Sequence, residues 1–395
     1  MTPGPITTLF IAIVVLVLGQ QCVKHVRFLR EFNIPVPVVG GLLATLVVTI
    51  LRGFGIEITF FGGLQEPFML LFFASVGLSA NFGLIRAGGS KLLVFFALVV
   101  GLLVLQNIVG VGIATLFGLS PVMGLLGGSI TMSGGHGTGA AWAEVFTNSY
   151  GVESAMALAM AAATFGLVFG SLIGGPTASF LIRRAQKKGM NIESDDQKDV
   201  ADLAGKDERT DVGSMIRVLC CLFAGLVAGT FLHGVLEDTP FSLPTFVWVL
   251  FSCVIIGNVL RISRLYHVND DANNTVGNVA LSVFLALALM NLKLWDLANL
   301  ALPMLVILMV QVALVFFYTT QVTFRVMGGG YDAAVLVAGN CGFAMGATPT
   351  AIANMQAVTE RFGPSRLAFI IVPVVGGFLI DIANALIIKG FLFIT

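Results

Sequence analysis

Ser133-Gly134-Gly135-His136-Gly137-Thr138-Gly139 places flexible, hydrogen-bonding backbone between two apolar segments. A bilayer core has no water to satisfy such backbone, so it is tolerated only where protein or a water-filled cavity receives its N–H and C=O groups. A second stretch, Gly342-Phe343-Ala344-Met345-Gly346-Ala347-Thr348-Pro349-Thr350, repeats the arrangement in the C-terminal half. The two read as one binding site, and the rest of the chain as what builds and moves it.

Working outward, 57% of the 395 residues are hydrophobic and 11% are charged, where an ordinary soluble domain carries about 25% charged residues. This composition implies an all-α integral membrane protein, and the zero net charge then carries no message about partners. Nothing points to nucleic acid. Ten spans are expected, at roughly 6–22, 34–51, 67–80, 91–118, 155–182, 215–236, 241–260, 276–292, 300–324 and 367–389. The third is short for a hydrocarbon core of about 30 Å. Segments 119–146 and 331–358, each interrupted by its glycine-rich stretch, are expected as re-entrant hairpins. The opening run from Ile6 to Gly19 has no basic residue before it and no small-residue cleavage pattern after it, so it reads as a retained span. Cys22, Cys220, Cys221, Cys253 and Cys341 lack metal-ligand spacing and read as plain thiols.

Lys and Arg concentrate in cytoplasmic loops, which tests the span count. With the N-terminus outside, eighteen of the 21 basic residues fall at inward ends, and only Arg52, Lys293 and Lys389 fall outside. Both termini are therefore expected to be extracytoplasmic. The polar segment 183–214 reads as a cytoplasmic linker between a first half, 1–182, and a second, 215–395. Five spans per half is an odd number, so the halves enter the membrane in opposite senses, as in an inverted-topology repeat. A shift of 212 residues places Gly118 on Gly330, Gly134 on Gly346, Thr138 on Thr350 and Gly151 on Gly363.

The segment from Ala140 to Phe146 reads as a half-helix beginning near Thr138. In the second hairpin, Thr348 is placed as an N-cap and Pro349 at the first helical position, with Ala351 to Met355 continuing the helix. Two half-helix N-termini meeting near the bilayer midplane suit an anion, because free N–H groups and the positive dipole end favour negative charge. Close helix packing through small residues is the other use of such glycines. The candidate substrate residues are Ser133, Gly134, Gly135, His136, Gly137, Thr138, Gly346, Thr348, Pro349, Thr350 and Asn354. His136 suits a substrate or proton role or a structural hydrogen bond, and Glu144 lies near the outer end of its half-helix. Asp381 is the clearest ionisable residue inside a long span, at an insertion cost of about 2.5–3.5 kcal/mol for a central carboxylate. Asn384 shares its helix face; with Asn340 the two are the candidate Na+ ligands, aided by hairpin carbonyls. A hydrogen-bonded structural aspartate is the alternative. Gln106, Asn107 and Gln311 are explained by interhelical hydrogen bonding. There is no Walker A loop, no HExxH and no nucleophile elbow, so the chain does not read as an enzyme or a primary pump.

The runs from Ser133 to Trp142, from Gly346 to Ala357 and from Glu360 to Ser365 closely resemble the bacterial sodium/glutamate symporter family, and the likeness in length and span order covers essentially the whole chain. The family often has a histidine before the Cys-Gly-Phe of the second hairpin and a glycine after it, where this chain has Asn340 and Ala344. The resemblance implies Na+-driven glutamate uptake across the inner membrane, a homodimer surrounded by lipid, and elevator-type movement of a transport domain against a scaffold. No cofactor is implied beyond Na+ as coupling ion. An anion channel or a substrate sensor could use the same pocket. No Arg or Lys lies within a span, so a second substrate carboxylate must be met by N–H groups, hydroxyls and amides.

Overall fold

The computed structural model describes residues 2–32, 34–187, 210–236, 239, 243–263, 266, 268–291 and 300–394. The described part is helical throughout, with no strand. Among the described residues, nine helices are long and apolar enough to cross a membrane, and they match nine of the ten expected spans. The tenth, expected at 67–80, is α4 (Gln65–Ser79), with 15 residues. At about 1.5 Å per residue it measures about 22 Å, less than a bilayer core. Most of the segment read as a linker lies outside the described residues.

The chain divides into two compact units. Unit 1 takes Met1–Phe82, Ala143–Ala157 and Lys206–Ala298, and unit 2 takes Gly83–Trp142, Leu158–Gly205 and Asn299–Thr395. Unit 1 packs α1 (Pro5–His25), the short α2 (Arg27–Glu31), α3 (Val36–Gly53) and α4 with three further spans. Side chains satisfy the early end of α4: Arg261 donates to the carbonyls of Leu78 (3.1 Å) and Ala80 (3.0 Å), and Asn258 Nδ2 donates to Ala80 (2.9 Å). Buried helix ends need such partners, which is how a short helix can end inside the protein.

In unit 2, α5 (Phe82–Leu116) bends at Gly89, whose φ of 59° lies in the left-handed region. From there the segment Gly89–Leu116 is a continuous apolar span. It crosses α6 (Pro121–Leu125) closely, since a Cβ on Gly110 would collide with the Gly124 carbonyl. After α6 come a π-helical turn, Leu126–Ile130, then α7 (Gly135–Tyr150) and α8 (Ala155–Lys187), of which the part from Ala143 to Ala157 belongs to unit 1. Spans α9 (Val212–Leu236), α10 (Thr245–Ser263) and α11 (Asp270–Met290) belong to unit 1. Unit 2 resumes with α12 (Ala301–Tyr318), a π turn at Thr319–Thr323, α13 (Phe324–Val326), α14 (Tyr331–Phe343), α15 (Thr348–Phe362), α16 (Arg366–Val374), a third π turn at Val375–Leu379 and α17 (Ile380–Leu392). Pro373 precedes this last turn; it has no N–H and crowds the carbonyl four residues back, which favours a break in the ladder.

Candidate functional site

Two local differences from the sequence expectation shape the site. The helix expected to begin near Thr138 begins at Gly135, because the φ of 66° at Gly135 completes the turn and lets the chain enter the helix at once. Ser133 and Gly134 alone form the turn, both N–H groups reaching back to the Ser129 carbonyl (3.2 and 3.0 Å). The free first-turn donors therefore belong to Gly135, His136 and Gly137. In the second hairpin Thr348 is the first helical residue and Pro349 the second, with Ala347 in the cap position and no side-chain cap. The Thr348 hydroxyl donates instead to the Gly376 carbonyl (2.6 Å). Gly376 lies in a π turn, where the α-helical ladder is interrupted and a carbonyl is more readily met by a side chain.

Unit 2 brings the two turns together. A Cβ on Gly135 would stand 3.0 Å from the Gly346 carbonyl, and Gly166 of α8 packs directly on the Met345 carbonyl. Gln106, fully buried in α5, spans both turns: Nε2 donates to the Ala344 carbonyl (2.9 Å) and Oε1 accepts from Ser133 Oγ (2.7 Å). Gln311 Nε2 donates to the Gln106 carbonyl (2.7 Å). Interhelical hydrogen bonding, the role expected of Gln106, here reaches both turns.

Each π turn meets a candidate residue. At the first, the backbone at Gly128 is non-helical (φ −95°, ψ −138°), which interrupts the regular ladder just before Ser129. Asn107 Oδ1 accepts the Ser129 N–H (2.9 Å), and Asn384 accepts from Ser129 Oγ (2.6 Å) and donates to the Ser129 carbonyl (3.0 Å) alongside the N–H groups of Ser133 and Gly134. At the second, Asn340 Nδ2 donates to Thr323 Oγ1 (3.2 Å). At the third, Thr348 meets Gly376. Asn384 is thus anchored to Ser129, and the described bonds of Asn340 do not join it to Asp381 or Asn384. Asn354 also lies away from the turns: its Nδ2 donates to the carbonyls of Gly170 (2.9 Å) and Ala338 (3.4 Å), tying α15 to α8 and α14.

Thr138 and Asp381 do come together, with Thr138 Oγ1 3.5 Å from Asp381 Oδ1. Among the described residues no basic side chain pairs with Asp381. Elsewhere in unit 2, Asn340 Oδ1 on α14 and Thr350 Oγ1 on α15 are buried and unpartnered, and unmet buried polar atoms call for an explanation. No cluster of three or more His, Cys, Asp or Glu exists among the described residues, so a cation here would draw on hydroxyl, amide and carbonyl oxygens with one carboxylate, a set suited to a hard ion. His136 Nε2 lies 3.0 Å from Thr164 Oγ1, which itself donates to the Met160 carbonyl (2.8 Å). The hydroxyl hydrogen is thereby used, so Nε2 carries the hydrogen it shares with Thr164 and Nδ1 is left as an acceptor. Glu144 lies in unit 1, where it accepts from Gln65 Nε2 (3.2 Å).

The family model described as sodium/glutamate symporter matches residues 4–364. A sodium/glutamate symporter of Escherichia coli (strain K12) is 52% identical, across 98% of this chain and 97% of its own length. One from Haemophilus influenzae is 46% identical, across 97% and 95%.

Proposed function

This chain belongs to the sodium/glutamate symporter family, and we propose that its Na+-coupled uptake of glutamate runs through the facing turns of unit 2. The glutamate carboxylates are received by the first-turn N–H groups of Gly135, His136 and Gly137 on α7 and of Thr348 and Thr350 on α15, where the positive dipole ends converge. Pro349 has no N–H, so α15 offers fewer donors than α7. Ser133, Gly134, Thr138 and Gly346 shape the floor, and Asn354 holds α15 in place. Asp381 recruits Na+, aided by Asn340 Oδ1 and by Asn384 Oδ1, which keeps a second lone pair. The observation that carries this reading is the approach of Thr138 to Asp381, since that threonine belongs to the substrate turn and the aspartate to the cation. Filling either place alters the other.

The wider mechanism follows from the same reading. The hairpins α6–α7 and α14–α15 are re-entrant, and the two halves form an inverted repeat. Gly151 and Gly363, 212 residues apart, support this: each ends the second helix of its hairpin with positive φ (68° and 106°). Unit 2, which holds every candidate substrate and Na+ residue, is the moving body of an elevator, and unit 1 is the scaffold. The protein is a multi-pass inner-membrane protein with both termini outside. A homodimer forms through α9, whose buried residues Ser214, Val218, Leu222, Gly225 and Gly229 make a narrow stripe. The rest of α9 carries an open apolar groove lined by Cys220, Phe223, Ala224, Val227, Ala228 and Phe231. The small residues Cys220, Ala224 and Ala228, four apart, allow a second helix to approach closely.

Proteoliposomes test the transport reading. Glutamate should accumulate above equilibrium under an inward Na+ gradient and fail to do so when K+ replaces Na+. Flux that only dissipates a glutamate gradient, indifferent to Na+, assigns the pocket to a channel.

A further inference from the structure

Arg184, near the end of α8, and Arg325, near the end of the run through α12 and α13, line one cavity of about 290 Å3 in unit 2. Leu181, Gln321 and Phe324 complete much of its wall. The two apolar spans that supply it end at Gln186 and Val326, so both arginines stand at a membrane–water boundary, on the same side. Arginine at a helix end commonly offsets the partial negative charge of the last carbonyls. Here two full positive charges from separate helices converge on one cavity, and among the described residues neither pairs with a carboxylate. Arg325 Nη2 donates to Gln321 Oε1 (2.7 Å), a neutral partner that leaves its charge uncompensated. Like charges drawn together in this way favour an anion between them, and the guanidinium fork matches phosphate oxygens bidentately.

We propose that this cavity binds the phosphate of an anionic phospholipid headgroup. Leu181 and Phe324 give the cavity an apolar wall that a free phosphate ion would not use. Phe180, Phe317 and Val322, in the same helical segments as the lining residues, are exposed at 55%, 62% and 36%, an apolar surface suited to acyl chains. The site depends on α8 and α12 crossing the membrane and not on symport, so the two readings fail separately.

The test titrates phosphatidylglycerol into the full-length protein in detergent and reads the rise in its unfolding temperature, with phosphatidylcholine as control. Wild type should respond saturably to phosphatidylglycerol alone. Arg184→Gln and Arg325→Gln should each weaken the apparent affinity about fivefold, and the pair about 25-fold, at about 1 kcal/mol per basic residue. The paired Arg→Lys variant should recover part of the loss, and retained glutamate binding reports that each variant is folded. Equal lipid responses in wild type and the Gln variants overturn the proposal. So does inorganic phosphate that matches the lipid, which assigns the cavity to a soluble anion. A lipid response that appears only after Glu193, Asp195 and Asp196 are changed to Gln assigns the cavity to the chain's own acidic segment and overturns it as well.

Discussion

Gln106 is the side chain that hydrogen-bonds to both turns. Gln106→Leu fills similar space but removes both the acceptor for Ser133 and the donor for Ala344. Ser133 Oγ, 3.4 Å from the Ala344 carbonyl, is then its one remaining donor among the described residues; a weakened or lost buried hydrogen bond costs about 1–3 kcal/mol, and where that cost falls on the binding-competent arrangement of the turns it appears as weaker glutamate binding. About 1.4 kcal/mol corresponds to a tenfold change, so we expect roughly a tenfold or greater loss of glutamate affinity at saturating Na+, with a near wild-type yield of folded protein. Radioligand binding on purified protein checks it, and unchanged affinity would return Gln106 to ordinary helix packing. The sequence showed a buried amide here, but an amide inside a span looks the same whether it meets a neighbouring helix or a broken turn. Asn384 is a related case, since helix spacing fixes a face and not a partner. Its face is shared with Asp381, yet its hydrogen bonds go to Ser129.

At the scale of elements, hydrophobic length located nine spans, because a bilayer leaves long apolar helices few alternatives. The breaks inside those helices were not legible. The three π turns leave no periodic mark in an apolar run, yet they expose the backbone that Asn384 and Thr348 engage. Glycine content suggested that α7 starts late; the packing of Gly135 against Gly346 starts it early. The face of α9 is a case where the pattern can be tested directly. If a second copy packs there, Cys220 of one protomer lies near Cys220 of its partner. Mild oxidation in native membranes should give a covalent dimer that Cys220→Ser abolishes and Cys253→Ser, at a buried site, does not. A dimer detected without any cross-link through Cys220 would move the interface off this groove.

For the whole molecule, the central claim is that glutamate and Na+ bind in one unit and that each strengthens the other. Linkage makes this reciprocal: the factor by which Na+ raises glutamate affinity must equal the factor by which glutamate raises Na+ affinity. Composition and charge asymmetry placed the chain in a membrane, and motif resemblance pointed to the ligands. Neither could show that Thr138 stands beside Asp381, because that contact joins residues 243 apart. Asp381→Asn keeps the size and one oxygen while removing the charge. The deciding measurement is glutamate affinity across a range of Na+ concentrations, in wild type and in Asp381→Asn. The expected result is a steep Na+ dependence in wild type and a nearly flat one in a folded variant that still binds glutamate. The same Na+ dependence in both proteins would contradict the assignment of Asp381 to the cation, and with it the coupling route through Thr138.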